Sequence, residues 1–248
     1  PTRSITQAAV IGAGTMGGGI AMCFANAGIP VTVIETSEEA LKRGLGIVDK
    51  NYRASAARGG MTAEDVDKRL HLIAGAIGLD HARDADIVVE AAFEEMDIKR
   101  QIFGTLDAVG KPEAVLATNT SYLDVNEIAR TTKRPSSVVG MHFFSPANVM
   151  KLLEVVRGAD TAADTLASAM AVGRKIGKVP VVVGVCHGFV GNRMLRARTV
   201  EAERLLLEGA LPQDVDGALT EFGFPMGPFA MSDLAGLDIS WRMRKAQG

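Results

Sequence analysis

Of the four histidines in the chain, His71, His81, His142 and His187, one stands where a general base could work. His142 follows the apolar run 138–141, and the carboxyl ends of strands are where a doubly wound sheet gathers its functional side chains. His71 and His81 flank ordinary elements, and His187 lies at a corner where a structural role suffices. Glu154 lies twelve residues beyond His142, inside Leu152-Leu153-Glu154-Val155-Val156. A carboxylate in such a run is costly to bury unless it is paired. Lys151 is one partner; His142 is the other. A His–Glu pair would fix the imidazole tautomer and steady the imidazolium once a proton has been taken. Asn119-Thr120-Ser121 follows the apolar run 115–117, so it too ends a strand. It can cap the next helix and offer donors to a substrate oxygen at the same time. Asn192, just inside a later helix, either caps that helix or reaches a cleft. An imidazole base with neutral donors for an oxygen is the chemistry of a hydroxyl losing its proton.

Such a site needs a scaffold and a redox partner, and the N-terminal stretch offers both. Gln7-Ala8-Ala9-Val10-Ile11-Gly12-Ala13-Gly14-Thr15-Met16-Gly17 reads as a strand feeding a G-x-G-x-x-G turn that opens a helix. Gly12 allows the tight turn, Gly14 lets backbone approach a pyrophosphate, and Gly17 lets helix pack on strand. The first helical N–H groups, from Thr15 and Met16 on, would meet the phosphates. The next apolar burst, Val31-Thr32-Val33-Ile34, closes on Glu35, 18 residues after Gly17. An acid there accepts ribose hydroxyls and repels the extra phosphate of NADP, and no arginine follows at once. The expected cofactor is NAD.

Apolar bursts at 8–11, 31–34, 87–89, 115–117, 138–139 and 179–183 alternate with helical patterns at 16–27, 38–57, 98–109 and 163–176. This predicts an α/β fold: a Rossmann-type, doubly wound, mostly parallel sheet with strands buried on both faces. A charged insertion at about 38–70 reads as two helices around Gly59-Gly60, an αα-hairpin leaning off the sheet. Strand signals end after Gly184. The expected organisation is a dinucleotide-binding domain over 1–187 and a partial, all-helical domain over 188–248.

Bulk numbers exclude several classes. The 248 residues are 47% hydrophobic with a net charge of −2, so no basic field draws nucleic acid or a membrane surface. Cys23 and Cys186 form no metal-ligand pattern and suit a reducing compartment. No apolar stretch is long enough to span a bilayer, and no signal peptide is visible. The expected setting is a reducing compartment, not secretion. The start at Pro1 rather than Met reads as a cut from a longer polypeptide.

The ordered motifs G-A-G-T-M-G-G-G-I-A (12–21), V-V-E-A-A-F-E-E (88–95), A-T-N-T-S (117–121), H-F-F-S-P-A-N-V-M-K-L-L-E-V-V (142–156), G-F-V-G-N-R (188–193) and F-G-F-P-M-G-P-F (222–229) cover nearly the whole chain. Together they resemble the L-3-hydroxyacyl-CoA dehydrogenases of fatty-acid β-oxidation. Ser145-Pro146-Ala147 is similar to the multifunctional members, in which an enoyl-CoA hydratase shares the polypeptide. The resemblance implies His142 as catalytic base with Glu154 as its partner, and Ser121 and Asn192 as ligands of the substrate's C3 oxygen. It implies that Glu94 and Lys99 line the nicotinamide end of the cleft, that Asn119 contributes to the cofactor site, and that the hairpin is an acyl-CoA-binding arm with Arg58 at its tip. As partners it implies an acyl-CoA, a fused or associated hydratase, a thiolase and a second copy of the chain. Family members continue beyond the point matching Gly248, so the resemblance also implies either a fragment or a disordered remainder, and it implies bacterial cytoplasm or peroxisome as the setting. Two other readings stay open: an NAD-dependent dehydrogenase of a small hydroxy acid or sugar acid, and a non-catalytic NAD-binding relative. The hairpin argues against the first and the intact Ser121, His142, Glu154 and Asn192 set against the second.

Overall fold

A computed structural model describes residues 1–235. The expected helical segment 188–248 falls in part on residues 236–248, outside the described residues. The chain divides into two compact units, the first ending at Phe189 and the second beginning at Val190.

The first unit is built on eight strands: β1 (Ala8–Ile11), β2 (Val31–Glu35), β3 (Ile73–Ile77), β4 (Ile87–Glu90), β5 (Val115–Thr118), β6 (Val138–Phe143), β7 (Leu152–Arg157) and β8 (Val179–Gly184). They form one sheet in the order β3-β2-β1-β4-β5-β6-β7-β8. The helices are α1 (Thr15–Asn26), α2 (Glu38–Ala57), α3 (Ala63–Leu70), α4 (Met96–Val109), α5 (Val125–Ala129) and α6 (Ala163–Lys175). Successive residues of a strand point to opposite faces, and both faces are covered. Val10, Val33, Val89, Met141, Phe143 and Val155 pack with Ile20 and Phe24 of α1 and Val172 of α6. Ile11, Val88, Leu116, Val138 and Val156 pack with Phe103 and Leu106 of α4 and Ile128 of α5. The doubly wound sheet is therefore the expected one.

Three details differ from the sequence pattern. First, β7 runs antiparallel to β6, and β8 is parallel to β7. Only residues 144–151 join β6 to β7, too few for a parallel crossover. Second, β3 is absent from the expected bursts, although 72–77 reads Leu-Ile-Ala-Gly-Ala-Ile, an unbroken apolar run. Its residues Ile-Ala-Gly-Ala-Ile form a half-exposed edge strand, and Leu41 and Leu45 of α2 occupy the space that a side chain at Gly75 would need. Third, β8 is not buried on both faces; Val179, Val181 and Val182 are 59%, 44% and 46% exposed at the other edge.

The hairpin is α2 and α3, each capped by sequence. Ser37 accepts from Ala40 N, and Thr62 with Asp65 forms a reciprocal capping box. It does not simply lean off the sheet. Val48 and Tyr52 of α2 and Val66 of α3 share a small core with Met22 of α1. The Tyr52 hydroxyl donates to Asn26 Oδ1 at 3.0 Å, and burial pushes it up to about 12.

The second unit, described by itself, contains α7 (Gly191–Leu207), α8 (Pro212–Phe222) and α9 (Pro228–Ala235). Pro212 starts α8, and Gly223, at φ 115, ends it in the left-handed region. The Asp216 carboxylate accepts from Phe229 N and Ala230 N, both at 2.9 Å, and so caps α9. The Arg198 guanidinium lies 4.9 Å from the ring centroid of Phe224.

Candidate active site

The glycine turn lies between β1 and α1, where the sequence put it. Gly12 has φ 97, and a side chain there would come within 2.8 Å of Ala91 O. A side chain at Gly17 would come within 1.9 Å of Gly12 O, so helix and turn touch backbone to backbone. Gly14 differs: a Cβ there meets nothing within 4 Å. It is the N-cap of α1, offers no side-chain cap, and no acid lies in the first turn. The opening N–H groups, from Thr15 and Met16, thus face an open space with the positive end of the helix dipole behind them, which suits a pyrophosphate. Glu35 closes β2; its Oε1 accepts from Ala13 N at 2.8 Å and its Oε2 from Thr36 N at 3.0 Å. Its carboxylate is thereby fixed beside the turn, with lone pairs left for a diol. These residues fit an NAD cradle.

His142 and Glu154 are directly opposed residues of the β6–β7 pair, and His142 Nδ1 lies 2.7 Å from Glu154 Oε2. Both are buried, 4% and 1% exposed. Lys151 is exposed. Opposed side chains of antiparallel strands share a face, so the reversal of β7 is what brings the acid to the imidazole. With Nδ1 occupied, Nε2 is the nitrogen left for a reacting group.

Asn119 and Ser121 lie on the loop after β5. Asn119 Oδ1 accepts from Phe143 N at 2.8 Å, tying that loop to the end of β6 beside His142. One oxygen of Glu94 gathers the rest, accepting from Thr120 Oγ1 at 2.6 Å, Ser121 N at 2.8 Å and Tyr122 N at 3.1 Å. Lys99 is buried, and its ammonium lies 2.8 and 3.0 Å from the two oxygens of Glu90 and 3.4 Å from Glu94 Oε2. Its charge is therefore met by those two carboxylates. Arg58 stands apart, exposed at the C-terminal end of α2. Asn192 is the second residue of α7, in the other unit.

Sequence reasoning missed Glu90. It is fully buried at the end of β4 and accepts from Lys99, from Thr118 Oγ1 at 2.7 Å and from Ala92 N at 2.8 Å. The signal was present, since Glu90 closes an apolar strand just as Glu35 closes β2. Lys178 was also missed. Buried, it donates to Ala147 O and, at 2.7 Å, to Met150 O, pinning the loop between β6 and β7. Burial pushes the nearby Cys23 thiol up, against the pull of the Lys178 charge, which leaves it protonated and inert.

This sheet, this glycine turn and the acid at the end of β2 define a Rossmann-class dinucleotide-binding domain. Residues 7–186 match the NAD-binding domain of 3-hydroxyacyl-CoA dehydrogenase, and residues 188–248 match the C-terminal domain of the same enzymes. The chain belongs to the 3-hydroxyacyl-CoA dehydrogenase family. It is 49% identical to the peroxisomal bifunctional enzyme of Danio rerio over 246 residues, and 47% identical to that of Homo sapiens over 249. Each comparison covers 99% of this chain and 34% of the relative, so the chain spans about a third of their length. Among solved structures, FadB2 of M. tuberculosis superposes with a TM-score of 0.92 at 37% identity, covering 95% of this chain and 84% of that one. The dehydrogenase part of multifunctional enzyme 1 from C. elegans gives 0.78 at 32% identity, covering 100% and 57%.

Proposed function

We propose that the chain oxidises the C3 hydroxyl of an L-3-hydroxyacyl-CoA to the 3-ketoacyl-CoA with NAD, using His142 as base. The observation that carries this reading is the 2.7 Å contact between buried, cross-strand His142 and Glu154 at the strand ends. His142 Nε2 takes the hydroxyl proton. Glu154 stays ionised and stabilises the imidazolium through Nδ1–H. The Ser121 hydroxyl, on a loop fixed by Glu94 and Asn119, donates to the C3 oxygen as it becomes a ketone. The resemblance gives Asn192 the second such bond and Arg58 a contact with the CoA. Bound NAD supplies the hydride acceptor at C4 of its nicotinamide. The glycine turn and Glu35 hold its pyrophosphate and ribose.

The peroxisomal bifunctional relatives support a second activity on the same polypeptide and a peroxisomal setting; the resemblance makes that activity a hydratase and the setting β-oxidation. Among the described residues no helix is long and apolar enough to cross a membrane. The test is NADH-linked reduction of acetoacetyl-CoA by the wild-type chain and by His142→Ala. Turnover by the wild type, its loss in the variant and unchanged NADH binding are expected. Continued turnover by the variant would remove His142 from the role.

A further inference from the structure

A single hydrogen bond from Nδ1 to Glu154 leaves an imidazole free to rock about that bond. Two aromatic rings restrict it. Phe144 lies 4.5 Å from the His142 ring, centroid to centroid, at an interplanar angle of 50°, and Phe189 lies 5.6 Å away at 54°. Phe144 is two residues along the same chain segment. Phe189 comes from far along the chain and is fully buried.

The backbone of Phe189 is unusual. At φ 46 it is the one non-glycine residue of positive φ among the described residues, and it follows Gly188 at φ 72. A bulky side chain rarely adopts that conformation, and such strain persists only where the surroundings impose it. Here Phe189 N donates to Cys186 O at 3.0 Å, while Cys186 Sγ donates to Phe189 O at 3.3 Å. The turn is closed in both directions, immediately before the first unit ends. A residue that only filled the core would have no need of this conformation; glycine would take the backbone and neighbouring apolar groups the space.

We infer that Phe189 is a positioning residue for the His142 imidazole, an inference that rests on His142 being the base. The turn at 186–189 fixes the ring. The ring, together with Phe144, holds the imidazole plane so that Nε2 keeps one direction while Nδ1 is engaged by Glu154. Its π system also favours the imidazolium formed when the proton arrives.

The experiment compares Phe189→Leu and Phe189→Gly with wild type and His142→Ala in the full 248-residue chain. Acetoacetyl-CoA reduction by NADH is the assay. Phe189→Leu keeps apolar bulk and removes the ring, whereas Phe189→Gly relieves the backbone and removes the ring. Both should lose kcat by about tenfold or more, with KM for both substrates within about twofold. In this direction the imidazolium donates the proton, so the alkaline limb of the kcat–pH profile should move, and the Nδ1 proton resonance of His142 should broaden. If Phe189→Leu keeps wild-type kcat and pH profile while His142→Ala is inactive, the inference fails and the base assignment stands. If His142→Ala turns over, the base assignment fails and takes the inference with it. Should Phe189→Leu not fold, Phe189→Met checked by NADH binding replaces it, and wild-type kcat in that variant overturns the inference equally.

Discussion

His142 and Glu154 face each other across the antiparallel pair of an otherwise parallel sheet, Nδ1 to Oε2 at 2.7 Å. The charge on Glu154 matters most after proton transfer, when it faces an imidazolium. Glu154→Gln keeps size and a hydrogen-bonding oxygen but removes that charge. A fall in kcat of about 10²- to 10⁴-fold is expected, with NADH affinity unchanged. A kcat within threefold of wild type would mean that the carboxylate only orients the ring.

The three glycines of the turn should separate by experiment. A methyl at Gly17 collides with Gly12 O, and one at Gly12 collides with Ala91 O at a φ that disfavours any side chain. Gly17→Ala and Gly12→Ala should therefore lower the melting temperature. Gly14→Ala meets open space at φ −68, in extended backbone, so the fold should be unaffected to within about 0.5 kcal/mol. Its methyl stands where a pyrophosphate must approach, and NADH affinity should fall by about tenfold or more. Thermal melts paired with NADH titration make the distinction; a Gly14→Ala chain with full affinity would move the phosphate site elsewhere.

Where residue spacing itself carries the information, the sequence read clearly. The glycine turn, the acid closing β2 and the alternation of bursts with helices all follow from local chemistry. The approach of Glu154 to His142 was one of two options, and the short link 144–151 decides it by forcing an antiparallel return. Less was legible where tertiary packing overrides composition. The strand β3 centres on Ala74, Gly75 and Ala76, whose small side chains suit the close approach of Leu41 and Leu45 and carry no strand period of their own. The hairpin's grip on α1 depends on Tyr52 reaching Met22 and Asn26, which no periodicity reveals. The buried Glu90–Lys99 pair links two elements whose neighbourhood exists only in the folded sheet.

That pair offers a stability test with a functional echo. Lys99→Met leaves the fully buried Glu90 carboxylate without its cation. A cost of about 3–5 kcal/mol is expected. Glu90→Gln in the same chain should recover part of it, because the amide oxygen can still accept from Ala92 N while the amide NH2 donates to Thr118 Oγ1. Urea denaturation of the two single variants and the double variant gives the coupling as a double-mutant cycle. Lys99 also approaches Glu94, which holds the Ser121 loop, so kcat should fall in Lys99→Met even where the chain remains folded. Purely additive single effects would show that the ion pair does not act as a unit.

Asp86 ties the segment leading into β1 to the start of β4 and gives the first unit's stability a dependence on acid pH. Burial pushes its carboxyl up. The bond from Lys111 Nζ at 2.7 Å, with those from Thr6 N and Oγ1 and from Gln7 N, outweighs burial and holds the carboxyl down, to about 2. A carboxyl depressed in the folded state binds its proton more readily in the unfolded chain. Its contribution is therefore complete above the ordinary carboxylate value of 3.8 and disappears as pH falls from there through about 2. Allowing for partial solvent screening, it amounts to about 1–2 kcal/mol at neutral pH. Asp86→Asn should be less stable than wild type by that amount at pH 7, and the two melting curves should converge toward pH 2. A gap that stays constant between those pH values would assign the loss to packing rather than to charge.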